Sequence, residues 1–286
     1  MNTTTTQYSA YLKTIPVNPG IATKVLQMVQ RQEYSFKQLE AIVGADPGLT
    51  AKILKIANSA MYARQNKVTR LQTAMTLLGI NTIKNVVILV SGTSIFKNHA
   101  GSRFYKLFWQ HSLGAAFVAR DLAVRVGLQE FAEEAFIAGL LHNVGQVAFY
   151  LHDPAGYEAL VAEVVRNGGR FSELEQAAYG TTHKDVGGEV LRLWSFPDMY
   201  SDCAREHGDA NIMSSWKKLI LTVSVSAFIA SNWFYFSDEP KAFSLLDPLL
   251  VNLGLDAPGI EAYQAEYRER LQTDSFYKEC QNLIMG

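Results

Sequence analysis

Two polar side chains, His142 and Asn143, stand side by side in an apolar stretch rich in small residues, Gly139-Leu140-Leu141-His142-Asn143-Val144-Gly145. The composition of this stretch predicts a buried helix. An imidazole and an amide in such a place cost free energy unless a partner satisfies their polar atoms. A metal ion, a ligand or a hydrogen-bond network would do so. This pair is therefore the first candidate for chemistry in the chain.

Two further histidines lie on predicted apolar helix faces. His111 belongs to a stripe at helical spacing that contains Phe104, Phe108, Ala115, Val118 and Leu122. His183 shares a face with Gly187, Val190, Leu191 and Trp194. A histidine on an apolar face is usually a core residue whose ring nitrogens are hydrogen-bonded, and that interpretation stays open for both.

The elements that must position these residues are helices almost throughout. Ser35 with Gln38 predicts a capping box, and Asp46-Pro47 predicts an N-cap followed by proline in the first turn. Ser172 with Glu175 predicts a second capping box, on a helix that ends at Gly180. No run alternates apolar and polar residues as a strand would. The sequence therefore predicts an all-α protein.

A change of composition near residue 98 divides the chain. The polar stretch Lys-Asn-His-Ala-Gly-Ser at 97–102 separates apolar helical patterns. We expect an N-terminal helical lobe over 1–98 and a histidine-bearing lobe with C-terminal helices over 99–286. The uncharged run 219–236 is long enough to suggest a membrane span, but Thr222, Ser224, Ser226, Ser231 and Asn232 interrupt it. We interpret it as a buried central helix.

Whole-chain composition excludes several classes of protein. The 286 residues carry a net charge of −1, which gives no electrostatic basis for binding nucleic acid or an anionic membrane. The two cysteines, Cys203 and Cys280, lack the spacing of a disulfide framework or a zinc ribbon. Residues 1–11 lack the pattern of a signal peptide. We expect a cytoplasmic protein.

Several motifs together resemble one family. They are Asp46-Pro47-Gly48-Leu49-Thr50-Ala51-Lys52-Ile53-Leu54, Asn58-Ser59-Ala60, and Gly139-Leu140-Leu141-His142 with Gly145. This combination resembles the HDOD subgroup, a regulatory branch of the HD superfamily of metal-dependent phosphohydrolases found in bacterial signalling proteins. The resemblance runs from about Ile15 to His207. It implies a two-lobed helical protein with an HD-like helical bundle.

The resemblance also implies a set of metal ligands, which this chain keeps only in part. The set would comprise His111, His142, Asn143, His183 and His207. Asn143 stands where the superfamily has an aspartate, and the last aspartate should fall near Ser226-Ala227, where no carboxylate is present. The site thus lacks two formal negative charges. Hard ions such as Mg²⁺ or Mn²⁺ prefer carboxylate oxygens and should bind poorly.

Three interpretations of the histidines stay open. Hydrogen bonds to one another, to Asn143 or to backbone carbonyls are the simplest, and no cofactor is then expected. A neutral-imidazole site would suit Zn²⁺ or another divalent transition metal. Imidazolium groups with helix N-termini would suit a small anionic ligand.

The preferred function is that of a non-catalytic signal-transduction protein that acts by binding a signalling protein or a small ligand. The sequence contains no receiver, kinase or cyclase segment, so we expect its signal to arrive and leave by non-covalent binding. The alternative is a residual metal-dependent phosphohydrolase acting on a nucleotide or cyclic dinucleotide. That activity would need a carboxylate from elsewhere, such as Glu206 or Asp185. A scaffold whose histidines never meet a ligand is the third hypothesis.

Overall fold

The computed structural model describes Tyr8 and residues 20–31, 35–62, 67–95 and 97–285. Within these residues all regular secondary structure is helical, which confirms the predicted all-α class. Ile15, where the family resemblance begins, lies outside the described residues, as do all but one of residues 1–11.

The helices follow one another with short connections. Their bounds are α1 Gly20–Arg31, α2 Phe36–Gly44, α3 Pro47–Ala57, α4 Leu71–Ser94, α5 Arg103–Arg125, α6 Ala132–Leu141, α7 Val144–His152, α8 Pro154–Asn167, α9 Phe171–Tyr179, α10 His183–Leu193, α11 Asp198–Glu206, α12 Lys217–Phe234, α13 Asp247–Leu250, α14 Ala257–Thr273 and α15 Ser275–Met285.

Two compact units are present. One, here called the histidine unit, contains residues 98–269 together with Tyr8. The other, the N-terminal unit, contains the described part of 17–97 and the C-terminal residues 270–285. The sequence did not indicate that the last helix would pack with the N-terminal helices. The sequence predicts two lobes, 1–98 and 99–286. That they are separable domains stays a prediction.

Local signals set the helix ends in the N-terminal unit. The Ser35 side chain accepts a hydrogen bond from the Gln38 backbone N–H, and the Gln38 side chain accepts one from the Ser35 backbone N–H. This is the predicted capping box. Asp46 caps α3 through the Leu49 N–H. The Asn58 side chain bonds the backbone of Leu54 and, in both directions, that of Val68, so it braces the end of α3.

Helix α4 is the longest of the N-terminal unit, and its backbone leaves the helical region at Gly79, where φ is 77°. Glycine tolerates that conformation because it has no Cβ. Among the described residues, α4 alone has the length and apolar composition of a membrane-crossing helix, but 61% of that window is buried inside the protein. A core helix meets the same criteria.

Helices α5, α6 and α12 form the centre of the histidine unit. The inner residues of α12 are buried against α5, which confirms the predicted central helix. Two sequence predictions were wrong. The stretch 139–145 is buried but is not a single helix, because α6 ends at Leu141 and α7 begins at Val144. Ser172 does not cap α9, because that helix begins two residues earlier than the capping box predicts, after Arg170, and no side chain caps it. Its predicted end at Gly180 is confirmed, with φ at 70°.

Candidate functional site

The four predicted histidines come together inside the histidine unit. His111 lies in α5, His142 follows the last residue of α6, His183 begins α10, and His207 follows α11. All four are buried, and none exposes more than 9% of its surface. Ring centroids are 5.1 Å apart for His111 and His142, 4.9 Å for His142 and His207, and 5.5 Å for His183 and His207. We call this group the histidine cluster.

Two glycines allow the helices to approach closely enough to form the cluster. A Cβ on Gly139 would lie 2.8 Å from Cα of Ala116, so α6 and α5 touch through their backbones. A Cβ on Gly145 would lie 2.1 Å from the carbonyl oxygen of His183. Because no other residue fits these positions without movement, the glycines bring His142 to His111 and α7 to the start of α10.

A buried carboxylate that the sequence analysis missed supports the cluster. Glu175 is fully buried and accepts three hydrogen bonds. Its Oε2 accepts from Nδ1 of His183 at 2.6 Å and from the His183 backbone N–H at 2.7 Å, and its Oε1 accepts from the hydroxyl of Tyr157 at 2.6 Å. The sequence instead suggested that Glu175 forms a capping box with Ser172. One feature of the sequence does point to an inward-facing Glu175, because Phe171, Glu175 and Tyr179 share one helical face.

The ring tautomers follow from the acceptors that face Nδ1. His142 Nδ1 contacts the carbonyl of Gly139 at 2.7 Å, and His207 Nδ1 contacts that of Ala204 at 2.9 Å. Carbonyl oxygens only accept, so these nitrogens carry the proton, as does the nitrogen of His183 that faces Glu175. Nε2 of His142 and Nε2 of His207 therefore hold a lone pair when these rings are neutral. Metal-binding histidines in proteins are oriented in the same way.

The lone pair of His142 is already occupied. Nε2 of His111 lies 3.1 Å from Nε2 of His142, and only the His111 nitrogen is left to donate the proton between them. Nδ1 of His111 then has no hydrogen-bond partner of normal geometry, although the carbonyl of Ala230 lies close enough to raise its pKa slightly. The lone pairs that no described donor occupies are thus those of His111 Nδ1 and His207 Nε2.

Burial keeps most of the cluster uncharged. Loss of solvation lowers the pKa of His142 to about 4, although the hydrogen bond to the carbonyl of Gly139 acts to raise it. Burial, then the neighbouring His142, lowers the pKa of His111 and of His207 well below 6.5. These three rings are neutral at pH 7. Neutral rings attract anions weakly, so the geometry does not favour the imidazolium–anion interpretation.

The family model described as "HDOD domain" matches residues 15–210. This chain belongs to the HDOD family. A curated relative, an uncharacterized protein of Treponema pallidum (strain Nichols), is 22% identical over 211 residues. The match covers 73% of the HDOD chain and 41% of the relative, so the chain spans about two fifths of the relative's length.

Solved structures share the fold of this HDOD protein. One is the "Putative phosphohydrolase" of Shewanella amazonensis SB2B, with a TM-score of 0.72 and 21% identity, covering 99% of this chain and 98% of its own. An HDOD domain protein with unknown function from Geobacter sulfurreducens has a TM-score of 0.74 and 19% identity, with 98% and 97% covered. A "Putative signal transduction protein" of Marinobacter aquaeolei VT8 has a TM-score of 0.77 and 20% identity, with 96% and 59% covered.

Asn143 occupies its predicted place beside the cluster but leaves an atom unsatisfied. It stands at the N-cap position of α7 and makes no capping hydrogen bond. Its Oδ1 is buried without a partner, as are the hydroxyl of Ser112 and both polar atoms of the Gln146 side chain. Buried polar atoms are seldom left alone in native proteins, so this side of the HDOD site has unused hydrogen-bonding capacity.

The two carboxylates that the sequence offered to complete a catalytic site are engaged in other hydrogen bonds. Oε2 of Glu206 accepts from the backbone of Met213 and Ser214, and Asp185 bonds Thr182. Ser226 donates to the carbonyl of Thr222. In the described part of the chain, no three His, Cys, Asp or Glu side chains are arranged to hold a metal ion.

Proposed function

We propose that this HDOD protein is a non-catalytic signal-transduction component that acts by binding a protein partner or a small ligand. The observation that carries the proposal is the engagement of Glu175. It is the carboxylate that contacts a histidine of the cluster, and three hydrogen bonds from its own chain already use its oxygens. Asn143 supplies only an amide. Neither residue offers a free anionic oxygen.

The chemistry of phosphate hydrolysis explains why this matters. A hydrolase of this superfamily needs a cation to activate water and to neutralise charge on the phosphoryl oxygens. Hard divalent ions are held by carboxylates, and the neutral rings of His111, His142 and His207 replace neither missing charge. The buried, hydrogen-bonded cluster instead fixes the relative positions of α5, α6, α10 and α11. Within this proposal the protein works in the cytoplasm, with the cluster as a sensor of its binding state.

Comparison with other proteins supports a role in signalling. The Marinobacter structure bears a signal-transduction name, and this chain covers 59% of it. The Treponema relative is longer still. In both cases the matched region is one part of a larger chain, which fits a binding module that passes a signal to other segments or proteins.

The alternative function is a residual metal-dependent phosphohydrolase. It is favoured by the orientation of His183 and His207, whose Nδ1 atoms contact Glu175 and the Ala204 carbonyl and whose Nε2 atoms have no hydrogen bond in the described chain. Such an arrangement is typical of imidazoles that bind Zn²⁺ or another transition metal. Two Shewanella amazonensis structures carry phosphohydrolase names.

The metal content of the purified protein distinguishes the non-catalytic signalling function from the residual phosphohydrolase. The purified, tag-free protein would be analysed by elemental mass spectrometry, as isolated and after incubation with Mn²⁺, Zn²⁺ or Fe²⁺, beside His142→Ala. His152→Ala, which changes an exposed histidine of the same unit, is the matched control. We expect no stoichiometric metal and no turnover of a phosphodiester panel. A metal bound by the wild type and His152→Ala but lost from His142→Ala, together with turnover, would overturn the proposal.

Capture of binding partners distinguishes the hypothesis of a sensing cluster from that of a purely structural scaffold. Proteins cross-linked to the wild type would be compared with those cross-linked to His142→Ala and His183→Ala. If the cluster senses the binding state, the captured set changes in these variants while the unfolding midpoint confirms that they fold. An unchanged set would favour the scaffold hypothesis.

A further inference from the structure

A cavity lies in the histidine unit, apart from the histidine cluster. It has a volume of about 410 Å³ and is formed by the end of α12, the segment 240–244 and one face of α14. None of its lining residues belongs to the cluster. Its volume lies in the range of sites that hold small organic ligands.

The face of α14 that borders this cavity is polar. Glu261, Gln264 and Arg268 follow one another at spacings of three and four residues, so they project on the same side of the helix. A face that packed only against the core would be apolar at these positions. Glu261 and Arg268 are exposed and Gln264 is half-buried, so this side of the cavity is polar and open to solvent.

The walls of the cavity are held in place by hydrogen bonds. The buried side chain of Asn232 donates to the carbonyl of Lys241 at 2.9 Å and accepts from its backbone N–H at 3.0 Å, which fixes the segment 240–244 to α12. The indole N–H of Trp233 donates to Oε1 of Gln264 at 2.7 Å, which fixes α14 to α12. The same bond orients the Gln264 amide, leaving its NH₂ group free to donate.

Two cations border the cavity with unused donors. The exposed guanidinium of Arg268 carries five N–H groups; it donates a 3.4 Å bond to the carbonyl of Trp233 and lies 5.8 Å from the centre of the Trp233 ring. The ammonium of Lys241 donates to the carbonyl of Gly168 at 2.7 Å and lies 4.1 Å from the ring centre of Phe236. No carboxylate of the described residues forms an ion pair with either cation. Burial, then the nearby charge of Arg170, lowers the pKa of Lys241, while the nearby carboxylate of Glu173 acts to raise it. A bound anion would act in the same direction as Glu173.

We propose that this cavity binds a small organic anion with a phosphate or carboxylate group, of at most about the size of a mononucleotide. Arg268 supplies a forked pair of donors to the anionic group, and Lys241 supplies the second positive charge. The Gln264 amide donates a further hydrogen bond. Glu261 lies two helical turns before Arg268, about 10 Å along the axis, and it disfavours a second anionic group at that end.

Isothermal titration of the full chain tests the proposal, with AMP, citrate and inorganic phosphate as probes. We expect saturable binding of AMP or citrate, weakened at least tenfold by Arg268→Gln and by Lys241→Gln. Arg166→Gln removes the same charge from an exposed position on α8 and should leave binding unchanged. AMP binding without citrate binding would assign a phosphate ligand, and the reverse would assign a carboxylate.

Three outcomes would overturn the proposal: no saturable binding of any probe, equal weakening by Arg166→Gln, or full binding in both cavity variants. Thermal unfolding of each variant checks that it is folded. His142→Ala should bind the probe normally, because the cavity shares no lining residue with the histidine cluster. A negative titration would therefore leave the metal and turnover tests of the proposed function untouched.

Discussion

Glu175 and His183 are joined by two hydrogen bonds, because Oε2 of the carboxylate accepts from both Nδ1 and the backbone N–H of the histidine. The pair lies at the start of α10, where a backbone N–H has no helical partner. One buried carboxylate thus satisfies a helix end, orients a ring and holds the hydroxyl of Tyr157. Without this interaction the proposed sensor would have no fixed geometry.

Glu175→Gln should destabilise the protein by about 2 kcal/mol, because an amide oxygen is a weaker acceptor and the new NH₂ group would face a donor. Glu173→Gln on the same helix is the control, since Glu173 is exposed and its nitrogen–oxygen distance to Arg170 is 3.9 Å. Urea unfolding measures both. If the two substitutions had equal effects, the network around Glu175 would not contribute to stability.

Stability should fall as the pH drops from 6.5 to about 4. The pKa of His142 is about 4 in the folded protein and about 6.5 in the unfolded chain, so in this range the unfolded chain binds the proton first. The shifted pKa of His142 contributes about 3 kcal/mol at most to the free energy of unfolding, and this contribution is fully present above pH 6.5. His111 and His207, whose pKa values are also lowered, act in the same direction.

The measurement is the free energy of unfolding at several pH values in this range. His142→Gln removes one titrating ring, so its stability should depend less steeply on pH than that of the wild type. His152→Gln, at an exposed position, should keep the wild-type slope. Identical slopes in all three proteins would show that His142 is not buried as a neutral ring.

Gly145→Ala should cost about 3 kcal/mol, because its Cβ would collide with the backbone of His183 and Gly187, which cannot move as a flexible side chain can. Gly187→Ala at the same crossing is the matched control. Its Cβ would lie 3.2 Å from the nearest atom, the backbone N of Gly145, so a shift of a few tenths of an ångström suffices. Thermal unfolding should rank the Gly145 variant well below the Gly187 variant, and the opposite order would contradict the close helix crossing.

Asn143→Asp should destabilise the metal-free protein by about 2 kcal/mol, because it buries a carboxylate among neutral rings. The substitution also restores the charge that the wider superfamily has at this position. Thermal unfolding with and without Mn²⁺ or Zn²⁺ would show whether the restored charge creates affinity for metal. We expect metal to raise the midpoint of Asn143→Asp and not that of the wild type. A wild type that metal stabilises equally would favour the hydrolase alternative.

The sequence by itself determined the helical class, the helix ends at Ser35, Asp46 and Gly180, and the family. These features depend on hydrogen bonds within a few residues or on motifs of contiguous residues, so the information is local. The apolar surroundings of His111, His142 and His183 in the sequence also indicated burial, whereas His207 was expected from the family resemblance. The capping box assigned to Ser172 was wrong because a serine and a glutamate at that spacing meet the local rule without showing which residue begins the helix.

Only the tertiary structure decided what the polar residues contact. The role of Glu175 depends on Tyr157, eighteen residues earlier, and on His183, eight residues later, and neither separation leaves a periodic signal. The cavity beside Arg268 needs α12 and α14 to be placed by the bond between Trp233 and Gln264, thirty-one residues apart. Such contacts form when distant helices pack, so their chemistry appears once the chain has folded.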